Sequence, residues 1–385
     1  MTADIRDDDG PVVCVRVPSG RADLDPDGYR EANPDVGASG QDPVAHFLSV
    51  GKSQGRVQAV NRARVLTLRA AKLARIRFAH PPPEDGWSGA PADFLDAAIR
   101  AEFQIPDAPP VSDHPYPAAL DALIRASPDK LFLDVGAGLR PVYYPNVVNT
   151  EIYPSPSTDV LCVGEAMPFA SNQFDYVFCF ATLEHTRRPW DVAAEICRVA
   201  RPGGSILIDY PFMQPVHGYP HHYFNATPMG NRSLFEDACE VVSVEIGANH
   251  HPIIGVQWML TVFQRGLPEA EAKLFSALRV GEIVDRPLES LLRARFATAL
   301  HPEMQRVIAS GSLLTAIKRE ASAGATPPRA PAPARAPSEP VEALRLQNAE
   351  LRAQCNAMLR SRSWRITAPL RRLRTMLRGS VSGRG

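Results

Sequence analysis

Two sets of residues in this chain have types and spacings suited to chemistry. The first is Asp134-x-Gly136-Ala137-Gly138, followed after twelve residues by Glu151. Glycines that break an apolar run make a tight turn whose missing side chains let a ligand approach the backbone. An acid closing the next strand is placed to accept hydrogen bonds from ribose hydroxyls lying across the strand ends. The second set is His185 with His217, His221 and His222, the last three inside residues 210–224, a stretch rich in aromatics and prolines. An imidazole with a pKa near 7 can accept a proton from an acceptor hydroxyl. The later three histidines, beside Tyr219 and Tyr223, could equally bind a sugar. As metal ligands they lack a carboxylate or cysteine partner at fixed spacing, so no metal is expected.

The elements that must position these residues are short, β-branched or aromatic runs at 131–135, 147–151, 159–163, 176–180 and 205–210. Separated by turn residues or by helical patterns, they read as a doubly wound parallel sheet. A dinucleotide site would want a third glycine and a long helix facing the pyrophosphate. Here Gly138 is followed by Leu139-Arg140-Pro141, and Pro141 and Pro145 leave little room for a helix before Glu151. The crevice suits an adenosine-containing ligand without a pyrophosphate.

Taken as an ordered set, Asp134-x-Gly-x-Gly138, Glu151, Met167-Pro168-Phe169 with Asn172-x-Phe174-Asp175, Leu183-Glu184-His185 and Arg201-Pro202-Gly203-Gly204 resemble the small class I S-adenosylmethionine-dependent methyltransferases. The resemblance covers residues 129–264, about a third of the chain. It implies a seven-stranded, mostly parallel α/β sheet of order 3-2-1-4-5-7-6, with strands six and seven at 241–246 and 256–263 and the last antiparallel. It also implies S-adenosyl-L-methionine as cofactor, with Asp134 at its aminoacyl end, Gly136, Ala137 and Gly138 beneath it and Glu151 on its ribose. The family's usual acid toward the adenine amine falls on Val163, which leaves Glu165, Ala166 and Met167 as the nearest candidates, with Phe180 also lining the site. His185 would face the methyl group.

A length of 385 residues leaves room for two or three domains. The formal net charge of zero gives no global bias toward nucleic acid, and none is expected as a partner. The six cysteines form no Cys-x-x-Cys pair, and two fall in predicted strands, which suits a reducing, cytoplasmic compartment. No apolar run approaches the ~20 residues of a membrane span.

In chain order, residues 1–23 read as a poorly ordered lead-in and 24–60 as a small helical module with helices started after Asp-Pro or ended at Gly. Residues 61–110 form a helical connector, 111–266 the methyltransferase-like domain, 267–320 a helical extension and 321–340 a Pro/Ala-rich linker. Within 341–385, Val341, Leu344, Asn348, Leu351, Cys355 and Met358 make a heptad seam able to pair two copies through 341–358. A basic tail carrying Trp364 follows, suited to an anionic membrane face or to docking a polysaccharide enzyme. Residues 25–56 and 363–371 resemble segments that accompany bacterial surface-polysaccharide glycosyltransferases. The expected function is methylation of a hydroxyl of a sugar or glycan intermediate in cell-surface polysaccharide synthesis. Alternatives are a small-molecule or quinone-type methyltransferase, and a non-catalytic scaffold that keeps the fold.

Overall fold

Runs of alternating apolar residues decide where the backbone pairs, and the first such run lies earlier than the predicted sheet. The computed structural model describes residues 10–80, 91–105, 112–218 and 220–309, all within one compact unit, Met1–Ser312. Expectations that fall elsewhere, including the linker, the heptad seam, the basic tail and Tyr219, lie outside the described residues.

The strands are β1 (Val12–Val13), β2 (Val15–Arg16), β3 (Gln58–Ala59), β4 (Ala92–Asp93), β5 (Phe132–Val135), β6 (Val142–Tyr143), β7 (Val147–Glu151), β8 (Val160–Leu161), β9 (Phe174–Phe180) and β10 (Ala200–Asp209). The helices that concern the site are α1 (Pro26–Ala32), α2 (Pro34–Ala38), α3 (Pro43–His46), α4 (Arg62–Leu73), α5 (Ala97–Glu102), α6 (Ala118–Ala126), α7 (Pro189–Val199), α8 (Pro228–Ser233) and α9 (Pro252–Arg265). Five further helices, α10 to α14, lie between Glu269 and Val307. In the 24–60 module, Asp25 and Asp42 cap α1 and α3 by accepting from Asp27 and Ala45 N–H, each with a proline at the first helical position.

One six-stranded sheet runs β10-β9-β5-β7-β8-β4, every pair parallel. In the order of the predicted strands this is 5-4-1-2-3, so the central part of the expected order is present. Side chains alternate across the sheet. Phe132, Val147 and Phe178 meet Leu120 and Ile124 of α6 on one face, while Leu133, Val148, Val177 and Cys179 share a core with Val192, Ile196 and Val199 of α7 on the other. Both faces are covered, as a parallel sheet requires.

The two remaining predicted strands do not form. Residues 241–246 carry no strand, and 256–263 lie inside α9, which Pro252 and a His251 cap begin. That run of 14 residues is helix-length, and the predicted strand after Gly255 is its second half, a case that apolar content alone does not separate from a strand. The sheet's sixth strand is instead β4, from the connector, paired with β8. A second correction concerns 10–23, read above as a lead-in. β1 pairs antiparallel with β6 and β2 with β3, and Cys14 between them is fully buried. The Val-Val-Cys-Val-Arg-Val alternation from Val12 is a strand pattern that the flanking Gly and Pro residues obscured.

Beneath the sheet lies a buried ion cluster. Asp159, with no exposed surface, accepts from Lys72 Nζ of α4 at 2.6 Å, from the Tyr143 hydroxyl of β6 and from Asn149 N–H of β7 at 2.8 Å. Lys72 also donates to the Tyr144 carbonyl at 3.2 Å and to that of Val147. Burial pulls its pKa down to about 8, against the raising effect of Asp159. Removing Lys72 would leave buried Asp159 with Arg69 Nε, at 3.5 Å, in place of its shorter ion pair, and a weakened buried pair is costly. Lys72→Met is therefore expected to destabilise the chain by about 3–5 kcal/mol, read as a fall in the urea midpoint, while Lys273→Met, at an exposed helical pair, leaves the midpoint almost unchanged. Equal midpoints for the two variants would show that the cluster is not structural.

Candidate active site

β5 ends at Val135, and the chain turns through Gly136 and Gly138 with φ of 70° and 62°, both left-handed. Neighbouring chain crowds both positions. A Cβ on Gly136 would lie 2.3 Å from Thr182 Cγ2, and one on Gly138 2.5 Å from the Ser112 carbonyl oxygen. The turn is thus clasped by the end of β9 on one side and by the segment leading into α6 on the other, where Leu139 N–H donates to Ser112 O at 2.8 Å. Ala137 is buried and donates its N–H to Thr150 O at 2.9 Å.

Asp134, fully buried near the end of β5, accepts from the Tyr116 hydroxyl at 2.7 Å and Arg140 Nε at 2.9 Å, both on Oδ2. Its Oδ1 has no partner among the described residues. Arg140 lies over the Tyr116 ring at 4.4 Å and donates to His114 O at 2.9 Å. Glu151, half-buried at the end of β7, accepts from Gly138 N–H at 3.2 Å and Ile152 N–H at 2.6 Å. Burial raises its pKa, and those backbone donors counter it.

The other cofactor candidates divide. Glu165 and Ala166 occupy the turn Gly164–Ala166 after β8, where Glu165 accepts from Arg188 N–H at 3.2 Å and burial raises its pKa. Val163, in place of the family's acid, is buried with Leu95, Ile105 and Tyr153. Met167 points away: its side chain joins the main core. Phe180, half-buried at the end of β9, stacks on Phe178 at 5.5 Å.

On the acceptor side, Ala181 holds a φ of 47°, rare for a residue with a Cβ, pinned by its N–H donating to Asp209 O at 3.0 Å. Strain of this kind persists where the surroundings over-determine the backbone. It sets the direction of the turn Leu183–His185. His185 Nδ1 lies 2.7 Å from His221 O and His217 Nδ1 2.8 Å from Pro215 O. Only an N–H satisfies a carbonyl, so in both rings Nδ1 carries the proton and Nε2 presents a lone pair. The rings are 5.5 Å apart and nearly perpendicular, and burial lowers both pKa values. A Cβ on Gly218 would come within 2.1 Å of His185 Cε1, so the loop closes on His185 only because residue 218 is glycine.

The structure does not gather all four predicted histidines. His222 stands beside His217 at 4.7 Å, with its nitrogens against His217 O and Asn225 Oδ1. The His221 ring turns outward, against Tyr223 and Gln104 O. Two further side chains enter. Trp258 of α9 packs on His217 at 4.9 Å, unforeseen because its segment reads as a strand. Glu184 has no exposed surface, and neither carboxylate oxygen is hydrogen-bonded among the described residues. Burial pushes its pKa up to about 8. Its Oε1 lies 3.8 Å from His185 Nε2, supplying the carboxylate partner that the histidines lack when spacing alone is considered. The available signal was its place beside His185 after a buried strand.

Residues 147–208, from the start of β7 almost to the end of β10, match a family described as a methyltransferase domain. An uncharacterized methyltransferase of Mycobacterium marinum is 40% identical over 55 residues, 14% of this chain and 22% of that protein. One from Mycobacterium avium is 42% identical over 53 residues, 14% and 21% of the two chains. The chain thus spans about a fifth of the length of the curated relatives it matches. Among solved structures, a Haemonchus contortus phosphoethanolamine N-methyltransferase in complex with S-adenosylhomocysteine overlaps 43% of this chain and 45% of its own, at 18% identity and a TM-score of 0.27. The matched segment carries Glu151, Glu165, Phe180, Glu184 and His185, while Asp134, the glycine turn and His217 lie outside it.

Proposed function

We propose that the chain is an S-adenosylmethionine-dependent methyltransferase acting on a hydroxyl. The observation that carries this reading is the coincidence of the methyltransferase-domain match with the crevice at the carboxyl ends of β5, β7 and β9, next to the point where the strand order reverses. The residues there fit the cofactor. Glu151 is fixed by backbone donors and only half-buried, which leaves lone pairs for a ribose diol. The unpartnered Oδ1 of Asp134 offers an acceptor toward an ammonium group.

When bound, the cofactor supplies a methyl group made electrophilic by its sulfonium. The chain's contribution is orientation, worth up to about 7–11 kcal/mol where nucleophile and carbon are held in line. Thr182, locked to Gly136 O and Phe180 O, fixes the end of β9 against the glycine turn. The lone pairs of His185 and His217 face the acceptor side, where the hydroxyl's proton is lost. We read the acceptor as a sugar or glycan hydroxyl from the resemblance of residues 25–56 and 363–371 noted above. The same resemblance supports a tail that contacts membrane or a partner enzyme, and the heptad seam supports pairing of two copies through 341–358. Among the described residues no helix is long and apolar enough to cross a membrane.

Calorimetric titration is expected to show micromolar binding of S-adenosylmethionine and its demethylated product and none of NAD. Glu151→Ala should weaken that binding by about 1–3 kcal/mol; unchanged affinity would place the cofactor elsewhere. A separate outcome concerns turnover. His185→Ala should lower the rate with a hydroxyl acceptor by about 10²–10⁴ at unaltered cofactor affinity, and near-normal turnover would mean that orientation alone drives transfer.

A further inference from the structure

We propose that Glu184, His185 and His217 form a binding site for one divalent transition-metal ion. The ligand atoms of the three side chains lie within 4.8 Å of one another. Glu184 comes from the turn after β9 and His217 from the loop after β10, so two separate elements converge. Each histidine has its Nδ1–H committed to a backbone carbonyl, at 2.7 Å to His221 O and 2.8 Å to Pro215 O. That is the outer-shell arrangement which fixes the tautomer of a metal-binding imidazole and turns its Nε2 lone pair inward. The carboxylate is the second observation. Glu184 is fully buried, and neither oxygen is hydrogen-bonded among the described residues, a costly state for a polar group unless something else occupies the space.

Among the described residues, the groups around the cluster do not supply a protein cation. His222 is held against His217 O and Asn225 Oδ1, and the nearby Asp209 is paired with His250 at 2.9 Å and with Asn249 at 2.7 Å. Trp258 closes the side at His217. An ion about 2.0–2.2 Å from each ligand requires the three atoms to draw together from separations of up to 4.8 Å, by about an ångström for the widest pair. Two imidazoles and one carboxylate favour zinc, manganese, iron or cobalt over magnesium or calcium, and three protein ligands leave coordination positions open. In the methyltransferase reading, on which this role rests, an acceptor hydroxyl occupies an open position and loses its proton more readily there. The acceptor's O–H bond would break, with the proton leaving to solvent, and the oxygen's electron pair would form the new bond to the methyl carbon as the methyl–sulfur bond breaks, its pair leaving with sulfur as the neutral demethylated thioether.

The test needs neither cofactor nor acceptor, so its outcome is separable from that of the methyl-transfer reading. Tag-free, full-length protein stripped with a chelator is titrated with Co²⁺, followed by visible absorbance, and with Zn²⁺ in a calorimeter. The expected result is one equivalent per chain, not displaced by excess Mg²⁺. Glu184→Gln and His217→Gln should each weaken binding by more than about 10-fold, the loss seen when even an outer-shell partner is removed. His222→Gln should leave it unchanged. Folding of each variant is checked by its thermal melt, and His185→Gln stands in for any that fails to fold. Absence of binding by the unsubstituted protein, or equal binding by these ligand variants, overturns the proposal.

Discussion

The buried carboxylate of Asp159 is the constraint on which the remainder of the structure depends. It draws together α4 through Lys72, β6 through Tyr143 and β7 through Asn149 N–H. Ions taken out of water are tolerated only where geometry and further hydrogen bonds compensate them. Here Lys72 has two carbonyl partners besides Asp159 and sits 3.9 Å over the Tyr143 ring. The cluster holds β7 at Asn149, two residues before Glu151 meets the glycine turn. It also explains how the sheet dispenses with a helix between β5 and β7. β6 occupies that connection, paired on one side with β1 and anchored below by Asp159.

A second set of interactions organises the turn itself. Arg140 leaves the turn only to fold back on Asp134 and Tyr116, so the acid expected to face the cofactor is already committed on one oxygen to the chain's own cation. The turn is shaped in advance by protein contacts on both glycines, a preorganised platform of the kind that lowers the entropy of ordering on binding. On the acceptor side the same logic operates through Ala181, whose strained φ directs the following turn and with it Glu184 and His185.

Legibility in the sequence follows how local each signal is. The five core strands are short apolar runs bounded by turns, and their periodicity is intrinsic to the run, so they form where expected. Glycines at a strand end announce a left-handed turn whatever lies around them. By contrast, 256–263 is apolar enough for either a strand or a buried helix, and the proline five residues upstream of Gln257 decides for α9. β1 and β2 are not legible locally because two-residue strands draw their stability from partners at 142–143 and 58–59, far away in sequence. Glu184 was named only as part of a turn, since nothing local tells a buried acid from an exposed one. The separation of His221 from the other histidines depends on which way a loop turns, which spacing does not encode.

The pairing of Cys14 with the β5–β7 connection spans 126 residues, its thiol donating to Arg140 O at 2.9 Å and its N–H to Pro141 O at 2.9 Å. During synthesis at about 5–20 residues per second, the Val12–Arg16 segment waits on the order of ten seconds before its partner exists. Val15–Arg16 can pair with Gln58–Ala59 earlier, but Val12–Val13 stays an unpaired, β-branched edge until β6 exists, the type of segment that pairs with other chains when left exposed. Non-local closure of this sort slows folding, and the glycine turn is completed late because Arg140 and Pro141 belong to the same closure. A nascent chain therefore carries β1 without its partner until β6 emerges, and the crevice is finished only after β9 and α7 follow, which makes the interval before β6 emerges a period in which chaperone assistance matters.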